Sequence, residues 1–173
     1  MRSGEMIGLK WNDVDLFKGF ISPKMSRKMG VDGKLKTAAS YREIEILENL
    51  MPYLENQYRL TGSKNSYVFL NQDNEPLYDI KRIRENQWKK TLRACNLDYR
   101  PIYHTRHSFA TLMIENGEDI LWVSNMLGHT DSTMTLSRYA KYIKRDYKKR
   151  AQFLNTELTP FDTENDTELK KVV

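Results

Sequence analysis

Apolar residues recur along this chain first at a helical period, then at a strand period, then at a helical one again, and the switches mark out its elements. Residues 1 to 9, from Met1 to Leu9, read as a helix already under way, with no capping residue or lead-in before it. Residues 18 to 46 change period. Gly19 to Pro23 is a short strand, Gly30-Val-Asp-Gly33 supplies turn chemistry, and Tyr41 to Ile46 alternates with Ile44 and Ile46 on one face. This predicts a β-hairpin with a long basic excursion that carries Lys24, Arg27, Lys28, Lys34 and Lys36. From Glu45 the period is helical, with Leu47, Leu50, Met51, Leu54 and Tyr58 on a face expected to be core, until Gly62 stops it. Tyr67 to Leu70 is a short apolar strand, Asn71 to Pro76 is a turn, and Ile80, Ile83, Trp88 and Leu92 outline a helix ending near Asn96.

After the break at Arg100-Pro101 three helices follow closely. They run from about 103 to 116, ended by Gly117; from 120 to 127, opened by Asp119 as N-cap and ended by Gly128; and from 132 to 142, capped by Asp131. Residues 144 to 155 read as one more basic helix, and the tail over 156–173, rich in Thr, Asp, Glu and Asn, as a mobile or docking arm. The fold class expected is mainly α with a small antiparallel β-hairpin or sheet (α+β). One catalytic-sized domain spans 1–155, and its abrupt start looks cut out of a longer chain.

Composition changes the picture in three ways. At 173 residues the chain holds one compact domain with a real core, so one active site is sought. Lys and Arg number 28 against 23 Asp and Glu, a net charge of +5; the last eighteen residues hold five acids and two lysines, so residues 1–155 carry 26 basic against 18 acidic groups, or +8. A basic body suits a polyanionic partner, because neutralising phosphates releases counterions. Cys95 stands alone, which excludes an internal disulfide framework and a Cys-based zinc site, and it is expected to be a small core residue. No run of about 18 apolar residues exists, and the start lacks the basic-then-apolar design of a signal peptide, so a cytoplasmic protein without membrane contact is expected.

Phosphodiester exchange without a metal needs cations to hold the phosphate, a nucleophile beside it, and an acid for the leaving oxygen. The chain offers candidates for each. Arg2-Ser-Gly-Glu-Met-Ile-Gly-Leu-Lys-Trp resembles the first arginine motif of the tyrosine recombinases of the phage-integrase type. Lys36-Thr-Ala-Ala-Ser-Tyr-Arg-Glu-Ile resembles their hairpin lysine, and Arg106-His-Ser-Phe-Ala-Thr is similar to their second arginine motif. Leu127-Gly-His129, followed ten residues later by Tyr139 in Arg138-Tyr139-Ala, resembles their closing segment. The pieces stand in the family's order over about residues 1 to 145.

The resemblance implies roles. Arg2 and Arg106 would grip the nonbridging oxygens of the scissile phosphate, for which a planar, permanently charged guanidinium is suited. Glu5, one turn on, would orient Arg2. Lys36 would be the general acid for the 5′ oxygen, His129 a hydrogen-bond donor to the phosphate, and Tyr139 the nucleophile that leaves a 3′-phosphotyrosine. Tyr103 stands where the family most often has histidine, three residues before the second arginine; a phenol can donate to phosphate but is a poor base at neutral pH. His107 is expected to be structural and His104 exposed or supporting. Those two histidines could share an ion, but no third ligand has suitable spacing, so no metal and no cofactor are expected.

The partners implied are double-stranded DNA and three further copies of the chain, as a tetramer on DNA formed by a protein that is a monomer when free, with residues 144–161 as the arm between subunits. A further DNA-clamping domain would precede this region, so weak DNA binding is expected of the chain alone. The alternatives are a type IB topoisomerase-like activity, with the same side chains but no exchange of partners, a non-catalytic DNA-binding remnant of an integrase, or a plain helical scaffold with a basic face.

Overall fold

The first helix has a start after all. The structure, a computed structural model that describes residues 1–143, opens with α1 (Ser3–Ile7). The Arg2 backbone N–H donates to Glu5 Oε2 at 2.8 Å, so a carboxylate in the first turn caps the end that lacked a capping residue. Ile7 and Leu9 then bury and tie α1 to the core. The expected basic helix over 144–155 and the tail over 156–173 lie outside the described residues.

Strand pairing follows the alternation. β1 (Val14–Asp15), β2 (Phe20–Ile21) and β5 (Ile44–Glu45) form an antiparallel three-stranded sheet in the order β1-β2-β5, with Val14 opposite Ile21 and Ile21 opposite Ile44. Between β2 and β5 the basic excursion folds as its own hairpin, β3 (Ser26–Lys28) against β4 (Val31–Gly33). Its turn sits at Met29 and Gly30, both at positive φ (50° and 78°), so the tight reversal is two residues long and does not extend over Gly30–Gly33. Asp32 pins the hairpin by an ion pair to Arg27 Nη1 at 2.6 Å and by accepting from the Tyr67 hydroxyl.

Three expectations are corrected. The helix α2 runs from Met51 to Thr61, because Glu45 belongs to β5 and Glu48–Leu50 is a 3-10 turn. The helical phase therefore starts afresh at Met51. Of the expected core face, Leu54 is buried while Leu50 and Tyr58 stay 42% and 51% exposed. Tyr67 to Leu70 is not a strand of any sheet. Val68 is fully buried, but its carbonyl accepts from Thr61 Oγ1 (2.9 Å) and Gln57 Nε2 (2.8 Å), so side chains take the bond a ladder would have made. A wide π-type turn, Ile83–Trp88, runs on into α3 (Lys89–Ala94), where Leu92 buries, and Asn96 at φ 53° ends it. Cys95 is exposed, contrary to its expected place in the core.

The last three helices are α4 (His104–Glu115), α5 (Ile120–Leu127) and α6 (Thr133–Tyr139), the last continued by a 3-10 turn at Ala140–Tyr142. Asp119 Oδ1 accepts from the backbone N–H of Leu121 and Trp122 at the start of α5, and Asp131 Oδ1 accepts from that of Thr133 (2.9 Å) at the start of α6. Helix α5 is shared between two hydrophobic clusters. Met126 joins Leu9, Ile21, Ile44, Leu54 and Val68, whereas Val123 and Leu127 join Ala110, Ile114 and Tyr139. Its C-terminal end is thereby fixed from both sides. Among the described residues no helix is long and apolar enough to cross a membrane.

Candidate active site

The last carbonyls of a helix have no partner within it. Those at the end of α5 are taken by three arginines from three distant segments. Arg42 Nε donates to the Met126 carbonyl (3.2 Å), Arg106 Nη2 to that of Leu127, and Arg2 Nη2 to that of Gly128 (2.8 Å). Cations at this end also complement the helix dipole. Gly128 is required here twice over. Its φ of 66° is left-handed, and a Cβ would lie 2.7 Å from the Arg42 guanidinium carbon.

Glu5 balances part of this charge. It is 2% exposed and accepts from Arg2 Nη1 (2.9 Å) and Arg42 Nη2 (3.1 Å). Burial pushes its carboxyl up, but the Arg2 backbone N–H and the Arg42 and Arg2 guanidiniums outweigh that and hold it below the usual carboxylate range. Ser40, fully buried, accepts from Arg2 Nη1 at its hydroxyl (2.7 Å) and from Arg42 Nη1 at its carbonyl (2.9 Å).

Arg106 is only partly satisfied. It is 7% exposed, and its Nη1 is buried with no hydrogen-bond partner among the described residues. Burial pulls the guanidinium below its ordinary value, and Arg2 and Arg42 push the same way. A buried donor left unbonded costs about 1–3 kcal/mol, and more when charged, so this corner favours an anion.

His129 follows Gly128, with its Nδ1 2.8 Å from the hydroxyl of the fully buried Thr135. Burial first, then Arg106, Arg2, Arg138 and Arg42, lower its pKa to about 4, so the ring is neutral at pH 7. The unfolded chain, with an ordinary histidine near 6.5, takes up this proton first. Stability from this group is therefore complete above pH 6.5 and is lost as pH falls towards 4. Proton NMR should show His129 titrating near pH 4, and His129→Asn should reduce the loss of Tm between pH 6.5 and 4; a midpoint near 6.5 would contradict both.

Tyr139, at the end of α6, is 4% exposed, with its hydroxyl 2.6 Å from His107 Nδ1 on α4. Burial raises the phenol's pKa. Around His107 lie Tyr103, edge-on at 5.1 Å between ring centres, and the exposed His104 at 5.9 Å. The structure thus brings Arg2, Arg106 and His129 to one helix end, with Tyr139 reached through His107, the neighbour of Arg106. Lys36 is exposed beyond β4, and among the described residues no ion pair or hydrogen bond joins it to the group. The next residue in its segment, Thr37, meets Ser40, the partner of Arg2, hydroxyl to hydroxyl at 3.0 Å. Sequence reasoning missed Arg42, Ser40 and Thr135. Arg42 carried a signal, since it alternates with the buried Ile44 and Ile46 and so points inward with them.

The fold is that of a tyrosine recombinase catalytic domain. The Tn1549 transposon integrase in complex with circular intermediate DNA matches with a TM-score of 0.67, at 19% identity, over 90% of this chain and 55% of that one. XerA recombinase matches with a TM-score of 0.64, at 24% identity, over 90% and 53%. The model of the phage integrase family matches residues 1–145, and the chain belongs to that family. Among curated relatives, prophage integrase IntR of Escherichia coli (strain K12) is 26% identical over 92% of this chain and 44% of its own length. Tyrosine recombinase XerD of Listeria monocytogenes serotype 4b (strain F2365) is 36% identical over 78% of this chain and 44% of its own. The chain spans less than half the length of these relatives.

Proposed function

We propose that this chain is the catalytic part of an enzyme that cuts and rejoins double-stranded DNA in site-specific recombination of a mobile element. The observation that carries this reading is the buried, unbonded Nη1 of Arg106 beside Arg2 and His129. Three donors are held on one rigid helix end with bonding capacity left for an anion. Membership of the integrase family supports a DNA phosphodiester as that anion.

In this reading Arg2 and Arg106 hold the nonbridging oxygens. With Nδ1 accepting from Thr135, His129 keeps its proton on Nε2 and donates it to the phosphate as a hydrogen bond. Tyr139 Oη forms a bond to phosphorus while the P–O5′ bond breaks, and Lys36 Nζ protonates the departing 5′ oxygen. The 3′-phosphotyrosine keeps the bond energy, so a 5′ hydroxyl from another strand reverses the step without ATP. The acting form is a tetramer on DNA in the cytoplasm, a monomer when free, in which two Tyr139 attacks make a junction and two more resolve it. Residues 1–155 are the catalytic domain, and 156–173 belong to the arm that docks on the neighbouring subunit.

The test is chemical. The chain is incubated with a randomised pool of nicked duplexes, digested, and searched by mass spectrometry for a nucleotide-bearing tyrosine. A 3′-phosphate adduct on Tyr139 is expected. An adduct confined to Tyr142, or none at all, rejects the reading in favour of a non-catalytic DNA-binding remnant, and relaxation of supercoils without strand exchange points to topoisomerase-like activity.

A further inference from the structure

A phenol attacks phosphorus poorly while it keeps its proton, and burial makes the proton of Tyr139 harder to lose. Something must take it. Tyr103, three residues before Arg106, offers only a neutral phenol hydroxyl, a far weaker proton acceptor than an imidazole nitrogen. His107 stands one turn further along the same helix, with Nδ1 2.6 Å from the Tyr139 oxygen. A ring nitrogen at this distance either donates to the phenol or accepts from it, according to tautomer.

We propose that His107 is the proton acceptor for Tyr139, a catalytic residue that takes the hydroxyl proton at Nδ1 as the oxygen attacks phosphorus and returns it when the tyrosine departs in rejoining. The inference rests on the recombinase reading above. The Oη–H bond breaks as the Oη–P bond forms, the proton passes to Nδ1, and the electron pair of the breaking P–O5′ bond goes to the 5′ oxygen, which Lys36 protonates. The resulting imidazolium gives its proton back when a 5′ hydroxyl displaces the phenolate.

Three features of the surroundings suit the role. The ring is held by its own helix, by the edge of Tyr103 and by α6 packed against α4. The titratable and charged groups near it are Tyr103, His104 and Arg106 on α4 and its cap and Arg138 and Tyr139 on α6; α4 ends in Glu115, the turn after α6 carries Lys141 and Tyr142, and α5 carries none. Burial, then Arg138, His104 and Arg106, keep the ring below its ordinary pKa and therefore neutral at pH 7, free to accept.

The test has two arms. In the first, 15N NMR of the free chain reads the tautomer of His107 at pH 7. A proton on Nε2 with a bare Nδ1 is expected, and a proton on Nδ1, donated to Tyr139, overturns the proposal whatever the DNA results. The second uses nicked duplexes enriched from the randomised pool by covalent capture on the wild-type chain. His107→Gln should form adduct about 10²- to 10⁴-fold more slowly, with DNA binding and Tm held. The wild-type rate should fall as pH drops below 6.5, and the Gln variant should lack that limb. On duplexes with sulfur in place of the bridging 5′ oxygen, whose leaving group needs no acid, the His107→Gln defect should persist while that of Lys36→Ala is relieved. A His107→Gln chain as fast as wild type, or one rescued by sulfur, overturns the role of His107 and leaves the adduct on Tyr139 standing. Absence of adduct from the wild-type chain overturns the recombinase reading and this inference with it.

Discussion

Arg106→Lys is expected to slow formation of the Tyr139 adduct by about 10²- to 10³-fold, the usual cost of removing one positioned donor to a developing oxyanion, although the positive charge is kept. Arg106 does two things at once. Nη2 is committed to the Leu127 carbonyl, and Nη1 is left buried and unbonded. An ammonium on a flexible stem can meet the carbonyl or a phosphate oxygen, but it lacks the planar fork that serves both. Single-turnover cleavage of captured nicked duplexes measures the loss, and a melting curve checks that the fold survives. A lysine variant within about threefold of wild type would mean that charge alone matters and that the free Nη1 has no part in binding.

Glu5→Ala is expected to cost about 3–5 kcal/mol of stability, the range for stripping one partner from a buried ion pair, which corresponds to a fall in Tm on the order of 10 °C. Both Glu5 and Arg42 are buried to 3% side-chain exposure, and Glu5 is the acid to which Arg2 and Arg42 are both paired. Its removal leaves Arg42 charged and uncompensated beside Arg2 and Arg106. If the cost lies in that charge, Arg42→Met added to Glu5→Ala should recover part of the Tm. Differential scanning calorimetry distinguishes this from a packing defect, in which the second substitution would only add to the loss.

The parts of the fold that were legible in the sequence are those governed by local chemistry. Asp119 and Gly128 bracket α5 because a carboxylate satisfies its first N–H groups and a left-handed glycine ends it, and both act within a few residues. The face of α2 was misread because β5 passes into the helix through a 3-10 turn, which resets the phase that Leu47 and Leu50 appeared to share with Leu54. Tyr67 to Leu70 has the composition of a strand, but it makes only isolated bridges, at Tyr67 with Lys10 and at Leu70 with Pro76, and the Val68 carbonyl is taken by Thr61 and Gln57, partners set by tertiary packing. Of the candidate site, Arg2, Arg106, His129 and Tyr139 could be named from the sequence as candidates because their motifs stand in order along the chain. Arg42 was not singled out because its carbonyl partner, on Met126, lies 84 residues away.

The row of carbonyls at the end of α5 also decides when the chemistry can exist. Arg2, Arg42 and Arg106 come from the beginning, the first third and the second half of the chain, and each is hung on its own link of one peptide run from Met126 to Gly128. A nascent chain that has emerged only as far as residue 100 has neither the peg nor Arg106, and one clipped before α5 keeps the three arginines but has lost the peg. Such a piece holds basic side chains but no assembled trap for a phosphodiester. In the reading proposed above, the ability to hold a scissile phosphate therefore depends on a segment that follows all three arginines in the chain.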